Sequence, residues 1–329
     1  MAVNAPSESV SAGGLRVVAI AGGVGGAKLV DGLAQIIPVD KLTIIANTGD
    51  DFQHMGLMVC PDLDTIMYTL AGAANAETGW GRAGETWHTM QEVARLGGSA
   101  WFRLGDLDLA THLVRTELLG RGATLTEATQ HLCRHLGVEY ALLPMSNEAA
   151  PTMIETEAGL VPFQTWFVQE QWQPAVKQVR LPEDVRASRP VLQALEAADV
   201  VVLAPSNPFV SIDPVLNVYP IRAMIADLPQ AVAAVTPIVG GRAIKGPAAK
   251  MMREMGMPVT ARAIADYYGE LIDLFVYDVR DEGSMPGTGS RHDDDQLLLL
   301  ATDTLMHTRA DRLRLAREVI QFITELLDQ

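Results

Sequence analysis

Apolar and polar positions follow two rhythms along the chain. Short apolar runs at residues 15–21, 41–47, 199–204, 231–236, 274–278 and 297–301 read as buried strands. Between the first two, Leu29, Leu33, Ile36 and Ile37 recur at helical spacing, and Pro38 ends the run. Strand, helix, strand in that order predicts a parallel sheet with right-handed crossovers. After Pro61, which a first helical turn tolerates, Leu63, Ile66, Met67 and Leu70 form one apolar face. A last helix starts near Arg309 and turns Ala316, Val319, Ile320, Ile323, Leu326 and Leu327 inward.

The middle of the chain breaks this rhythm. Residues 75–140 read as mostly helical, interrupted by Gly79, Gly81, Gly84, Gly97 and Gly98. Residues 152–156, a turn at 157–159 and residues 160–167 resemble a hairpin. The fold class is therefore α/β: a parallel-sheet core over residues 15–329, with residues 75–190 as an inserted smaller part, helical first and antiparallel second. Residues 1–14 are small and polar, and read as a flexible tail rather than a signal or anchor.

Composition narrows the partners. The chain has 329 residues, 48% hydrophobic and 20% charged, which is enough for a full core. Its net charge of −15 would repel nucleic acid or an anionic membrane surface at long range. No apolar run approaches the roughly 18 residues of a membrane span. Cys60 and Cys133 have neither metal nor redox spacing, as suits a cytoplasmic protein.

The chemistry gathers at the predicted strand ends, where open α/β sheets bind ligands. Gly22, Gly23, Gly25, Gly26 and Lys28 form a glycine-rich turn between strand and helix. Such a turn lets backbone amides approach a phosphate. It fits neither the dinucleotide fingerprint nor a Walker loop, and the second strand lacks the ribose-binding acid of an NAD site. Asp50, Asp51, Asp62 and Asp64 fall within fifteen residues of one another. They read either as a divalent-metal site or as a solvated acidic turn. Asp62 and Asp64 lie about 200° apart on a regular helix, so only one is expected to face a site.

Other features are open in the same way. The Pro205-Ser206-Asn207-Pro208 turn offers donors and acceptors for a nucleotide, or is simply rigid. Residues 236–242 and Lys245 add glycine and cations at another strand end. All five tryptophans lie between residues 80 and 172, suited to a flat ligand or to packing the insertion. Arg103 and His112 are candidates for an anionic contact and a general base. Residues 293–295, three aspartates, read as a solvated loop.

Taken together, several of these motifs resemble one family. They are residues 21–28 with Asp31-Gly32-Leu33, residues 47–51, residues 61–65, Trp80-Gly81 with Glu85-Thr86, and Leu104-Gly105-Asp106 with residues 110–112. Residues 205–208 with Ser211-Ile212, and residues 301–304, complete the set. The combination is similar to the 2-phospho-L-lactate transferases of coenzyme F-420 biosynthesis. Position 107 departs, being Leu where relatives often carry Arg, and residues 283–293 match no motif of the family.

The resemblance implies a Rossmann-like core and a Mg²⁺-dependent transfer. A 2-phospholactyl or phosphoenolpyruvyl group would pass from a guanosine diphosphate ester to Fo (7,8-didemethyl-8-hydroxy-5-deazariboflavin), with release of GMP. Asp50 and Asp64 would be metal ligands and catalytic. Asp64 and Arg103 would contact Fo. Gly22, Gly23, Gly25, Gly26, Lys28, Ser206 and Asn207 would hold the guanylyl donor. Family members often dimerise, so a homodimer is implied too. The alternative is a non-enzymatic regulator that binds a sugar nucleotide, since a related bacterial group shares the glycine turn and the Asp-Asp pair.

Overall fold

A computed structural model describes residues 14–285 and 297–327. The expected tail up to residue 13, the aspartates 293–295 and most of the 283–293 segment lie outside the described residues. Seven strands form the main sheet: β1 (Val17–Ala21), β2 (Leu42–Ala46), β3 (Ala141–Pro144), β4 (Val200–Leu203), β5 (Ala231–Val235), β6 (Leu274–Asp278) and β7 (Leu298–Thr302). They lie in the order β7-β6-β5-β4-β1-β2-β3, every neighbouring pair parallel. This is an α/β, Rossmann-like sheet. The six expected strands are present, each within two residues of its predicted bounds.

Both faces of the sheet are covered, which explains why the strands read as continuous apolar runs. Val17, Ala19 and Ala21 point to one side, against α1 (Gly23–Ala34), α2 (Pro61–Leu70) and the C-terminal helix Arg309–Leu327. Val18 and Ile20 point to the other, against a cluster that includes Val191, Leu195, Ile221 and Ile264. At Gly32, a β-carbon would come within 2.2 Å of the Arg312 carbonyl oxygen, so glycine lets α1 and the C-terminal helix meet backbone to backbone.

The chain runs outward from β1 to β2 and β3, then returns to β4 on the other side of β1. The connections leaving β1 and β4 therefore diverge, and a crevice opens where they part.

The middle segment is not wholly separate from the sheet, because it supplies the edge strand β3. It also holds α3 (His88–Arg95), α4 (Asp106–Gly120) and α5 (Leu125–His135), the last begun by a Thr124–Glu127 capping box. The hairpin forms from Met153–Thr156 and Gly159–Pro162, with Gln178–Arg180 as a third strand. Its second arm ends earlier than residue 167. The chain instead winds through a π-helical turn, Thr165–Gln169, which buries Trp166 and lets its indole N–H donate to the Pro174 carbonyl at 3.0 Å. Among the described residues, no helix is long and apolar enough to cross a membrane.

Candidate active site

The crevice at the ends of β1 and β4 widens into a cavity of about 790 Å³. One wall begins at the glycine-rich stretch. That stretch was expected to run as a turn to Lys28, but the helix already starts at Gly23. Gly23 has a φ of +63°, a conformation glycine adopts without strain. Its N–H donates to Asp62 Oδ1 at 2.6 Å, and the Gly22 N–H donates to Ser206 Oγ at 3.1 Å. The Ser206 hydroxyl returns a bond to the Gly22 carbonyl at 2.8 Å. The two strand ends are thus clasped together. A β-carbon on Gly25 would lie 2.4 Å from the Pro205 carbonyl oxygen, and one on Gly26 2.5 Å from Ser206 Oγ. These two glycines allow close packing of α1 on the Pro205–Ser206 turn.

The second wall is acidic. Asp50, Asp62, Asp64 and Asp108 all line the cavity and all are buried. The helical-wheel expectation that only one of Asp62 and Asp64 faces the site does not hold. The cavity wraps around the first turn of α2, so residues on different sides of the helix both reach it. Asn47 Nδ2 donates to Asp62 Oδ2 at 2.9 Å and lies 3.4 Å from Asp50 Oδ1, while Gln164 Nε2 donates to Asp50 Oδ2 at 2.9 Å. Burial, then the charges of Asp62 and Asp51, push the Asp50 carboxyl well above the usual range. Burial raises Asp62 to about 6 against its bonds from Asn47 and Gly23. Burial also raises Asp51, and neither of its oxygens has a hydrogen-bond partner of good geometry among the described residues.

Asp50 and Asp62, two buried carboxylates on this wall, with the charge of Asp51 also acting on Asp50, are suited to an oxygen-seeking dication such as Mg²⁺. Asp64 differs. The fully buried guanidinium of Arg115 holds both its oxygens, with Nη1 on Oδ2 at 3.0 Å and Nη2 on Oδ1. Arg115 Nη1 also lies 3.2 Å from His112 Nδ1. Ligand atoms of Asp64, Asp108 and His112 come within 4.8 Å of one another. A dication there would face the fixed charge of Arg115 at contact distance, so this trio is a poor metal site.

The remaining walls are cationic and aromatic. Lys28 Nζ donates to the Met306 carbonyl at 2.6 Å, and Lys245 Nζ to the Thr78 carbonyl at 2.9 Å. Burial, then Arg312 and Lys245, lower the Lys28 pKa. Asn207 lines the cavity, and its Oδ1 caps the following turn by accepting from the Phe209 N–H at 3.0 Å. Arg103 also lines the cavity and stacks over Trp87 at 4.6 Å. Trp80, Trp101, Phe102, Phe163 and Phe167 supply flat apolar surface. The tryptophans divide between the two roles weighed from sequence: Trp80 and Trp101 face the cavity, whereas Trp166 is core.

Of the sequence-predicted residues, Gly22, Gly23, Gly25, Lys28, Asp50, Asp64, Arg103, Ser206 and Asn207 meet in this one cavity. Gly26 lies behind it, against Ser206. Sequence reasoning missed Arg115, Asp108, Tyr68 and Gln164. A signal existed for two of them: Asp108, His112 and Arg115 stand at i, i+4 and i+7, one polar stripe along α4.

Comparison with known proteins identifies the family. Residues 17–307 match the family described as 2-phospho-L-lactate transferase CofD. A Streptomyces griseus protein named phosphoenolpyruvate transferase is 40% identical over 317 residues, covering 93% of this chain and 99% of its own. A Methanosarcina acetivorans protein named 2-phospho-L-lactate transferase is 33% identical over 317 residues, covering 95% of this chain and 99% of its own. A solved Bacillus halodurans structure, of the family designated UPF0052, is similar with a TM-score of 0.60 at 15% identity, covering 93% of this chain and 99% of that one. At that identity it speaks for the fold alone. The transferase relatives decide against the non-enzymatic reading. Matched along nearly its whole length, the chain belongs to the 2-phospho-L-lactate transferase (CofD) family and is an enzyme of the transferase class.

Proposed function

We propose that this enzyme moves a 2-phospholactyl or phosphoenolpyruvyl group from a guanosine diphosphate ester to the terminal hydroxyl of Fo, releasing GMP. One observation carries the reading: a helix N-terminus, an acidic wall and an aromatic wall converge on one cavity at the topological switch point of the sheet. The guanylyl part belongs beside Gly22–Lys28 and the Ser206–Asn207 turn, where the α1 amides after Gly23 and the remaining N–H groups of Lys28 would offer donors. The deazaflavin ring belongs against Trp80, Trp101 and Phe102, with Arg103 at its rim.

Asp50 and Asp62 are the carboxylates that would hold Mg²⁺, with Asp51 behind them. Asp64, its charge balanced by Arg115, is better fitted to accept a hydrogen bond from the acceptor hydroxyl than to hold the metal. When bound, the metal supplies charge neutralisation on the diphosphate. The hydroxyl oxygen forms a bond to the phosphorus that carries the three-carbon acid. The bond from that phosphorus to the GMP oxygen breaks, and a wall carboxylate takes the hydroxyl proton. The rest is alignment of the two substrates, as loose phosphoryl-transfer transition states require.

Identity is higher with the relative named phosphoenolpyruvate transferase, so the enolpyruvyl donor is the first to assay. The test is mass spectrometry of products from Fo with each guanylyl donor, with and without Mg²⁺. Formation of the phosphodiester plus GMP, dependent on Mg²⁺, is expected. Absence of product with both donors would overturn the reading.

A further inference from the structure

Arg115 touches neither substrate in the proposed transfer, yet it is a fully buried cation behind the cavity wall. A charge so enclosed is costly unless its partners are well placed. Its guanidinium spans Asp64 Oδ1 and Oδ2 and reaches His112 Nδ1 at 3.2 Å. A guanidinium has donors only. The His112 Nδ1 must therefore present its lone pair to Arg115. The ring proton then sits on Nε2, which faces Asp108 Oδ1 at 3.4 Å without a hydrogen bond of good geometry. That same Asp108 oxygen receives the Tyr68 hydroxyl at 2.7 Å. Asp64, Asp108, Tyr68 and His112 all line the cavity.

We propose that Arg115 is a positioning residue for the transfer: it fixes the Asp64 carboxylate in one orientation and locks His112 as the Nε2–H tautomer facing Asp108. The proposal rests on the reading that Asp64 meets the acceptor hydroxyl. A lysine would keep the charge but not the fork. Its single ammonium cannot hold two oxygens of Asp64 and a ring nitrogen in one plane. Asp64 and His112 would then sample more than one arrangement. The loss would fall on the chemical step, because the donor is held on the other side of the cavity.

The experiment joins kinetics to spectroscopy. Protein labelled with ¹⁵N in histidine is examined at neutral pH, and the His112 signals are assigned by their absence in His112→Gln. The wild type is expected to show the Nε2–H tautomer. Arg115→Lys is expected to show mixed tautomers and a kcat about 10- to 100-fold lower. The KM for the guanylyl donor should stay within about twofold of wild type. A purely structural ion pair would lower stability without moving the tautomer. An Nδ1–H tautomer or an imidazolium in the wild type overturns the proposal, as does Arg115→Lys with wild-type kcat and an unmoved tautomer. Should Arg115→Lys fail to fold, the wild-type spectrum alone decides. If the wild type forms no product from Fo with either donor, the proposed function fails, while the tautomer result stands by itself.

Discussion

The side-chain amide of Gln164 donates to Asp50 Oδ2 at 2.9 Å, joining residues 114 apart in sequence. The bond ties the antiparallel part of the fold to the acidic turn after β2. Gln164 and Asn47, the two side chains that meet Asp50, are both neutral, so neither cancels its charge. The nearby charges of Asp62 and Asp51 add repulsion. The arrangement orients a carboxylate without neutralising it, so its charge is left open to a cation.

Replacing that carboxylate separates its two effects. Asp50→Asn can keep the bond from Gln164 by turning its amide oxygen toward it, and it removes the like-charge contacts. The metal-free variant is therefore expected to melt at or above the wild-type temperature. Its Mg²⁺-dependent transfer should fall by about 100-fold or more, since charge on the diphosphate goes uncompensated. Thermal denaturation and product assays measure both. Wild-type turnover in the variant would remove Asp50 from the metal site.

The Asp62 carboxyl gives a pH dependence of definite sign. Its folded-state value, about 6, lies above the ordinary 3.8. Between those values the folded protein holds a proton that the unfolded chain has released. The stability linked to this group is fully present below 3.8 and is lost as pH rises through about 6. The full swing is on the order of 3 kcal/mol. In metal-free protein, the melting temperature of wild type relative to Asp62→Asn should rise as pH falls from 7 to 5. Saturating Mg²⁺ should flatten the difference by favouring the ionised form. A difference that is flat without metal would show that Asp62 is not raised.

Much of this arrangement is legible from the chain. The strands of the sheet announce themselves as apolar runs, except β3. Its four residues, Ala141–Pro144, are too few for periodicity to settle, and they end in a proline that only an edge strand tolerates. The glycine-rich stretch points to the right place but hides the start of α1, because nothing local shows that Asp62 caps the amide of Gly23. Arg115 is hidden for a different reason. On α4 the usual pattern is inverted: Asp108, His112 and Arg115 are buried while Leu107, Leu113 and Val114 are exposed. A lone arginine among leucines reads as a surface residue until its partner Asp64, 51 positions away, is placed beside it.

Gly25 tests the clasp between the two strand ends. A β-carbon there would sit 2.4 Å from the Pro205 carbonyl oxygen, a backbone atom that cannot rotate aside. Gly25→Ala should push α1 away from the Pro205–Ser206 turn, with a loss of about 1–3 kcal/mol in stability. Affinity for GDP should drop as well, because the amides of the turn and helix no longer converge. Chemical denaturation and calorimetric titration with GDP measure the two. Unchanged values would mean that the helix shifts without consequence and that the glycine is not there for packing.

Trp101 tests the aromatic wall. Its ring meets Phe52 at 5.7 Å and Phe102 at 5.5 Å, and those two rings contact each other at 4.8 Å without it. Trp101 is only half-buried, so its removal should leave the Phe52–Phe102 pair standing. Trp101→Ala is expected to raise the KM for Fo roughly tenfold, the scale of one lost ring contact plus its buried area. The KM for the guanylyl donor should not move. Steady-state kinetics with each substrate varied in turn makes the comparison. A rise confined to the acceptor places the deazaflavin against this wall. Equal rises for both substrates, with a lower melting temperature, would make Trp101 a packing residue whose loss slackens the whole cavity.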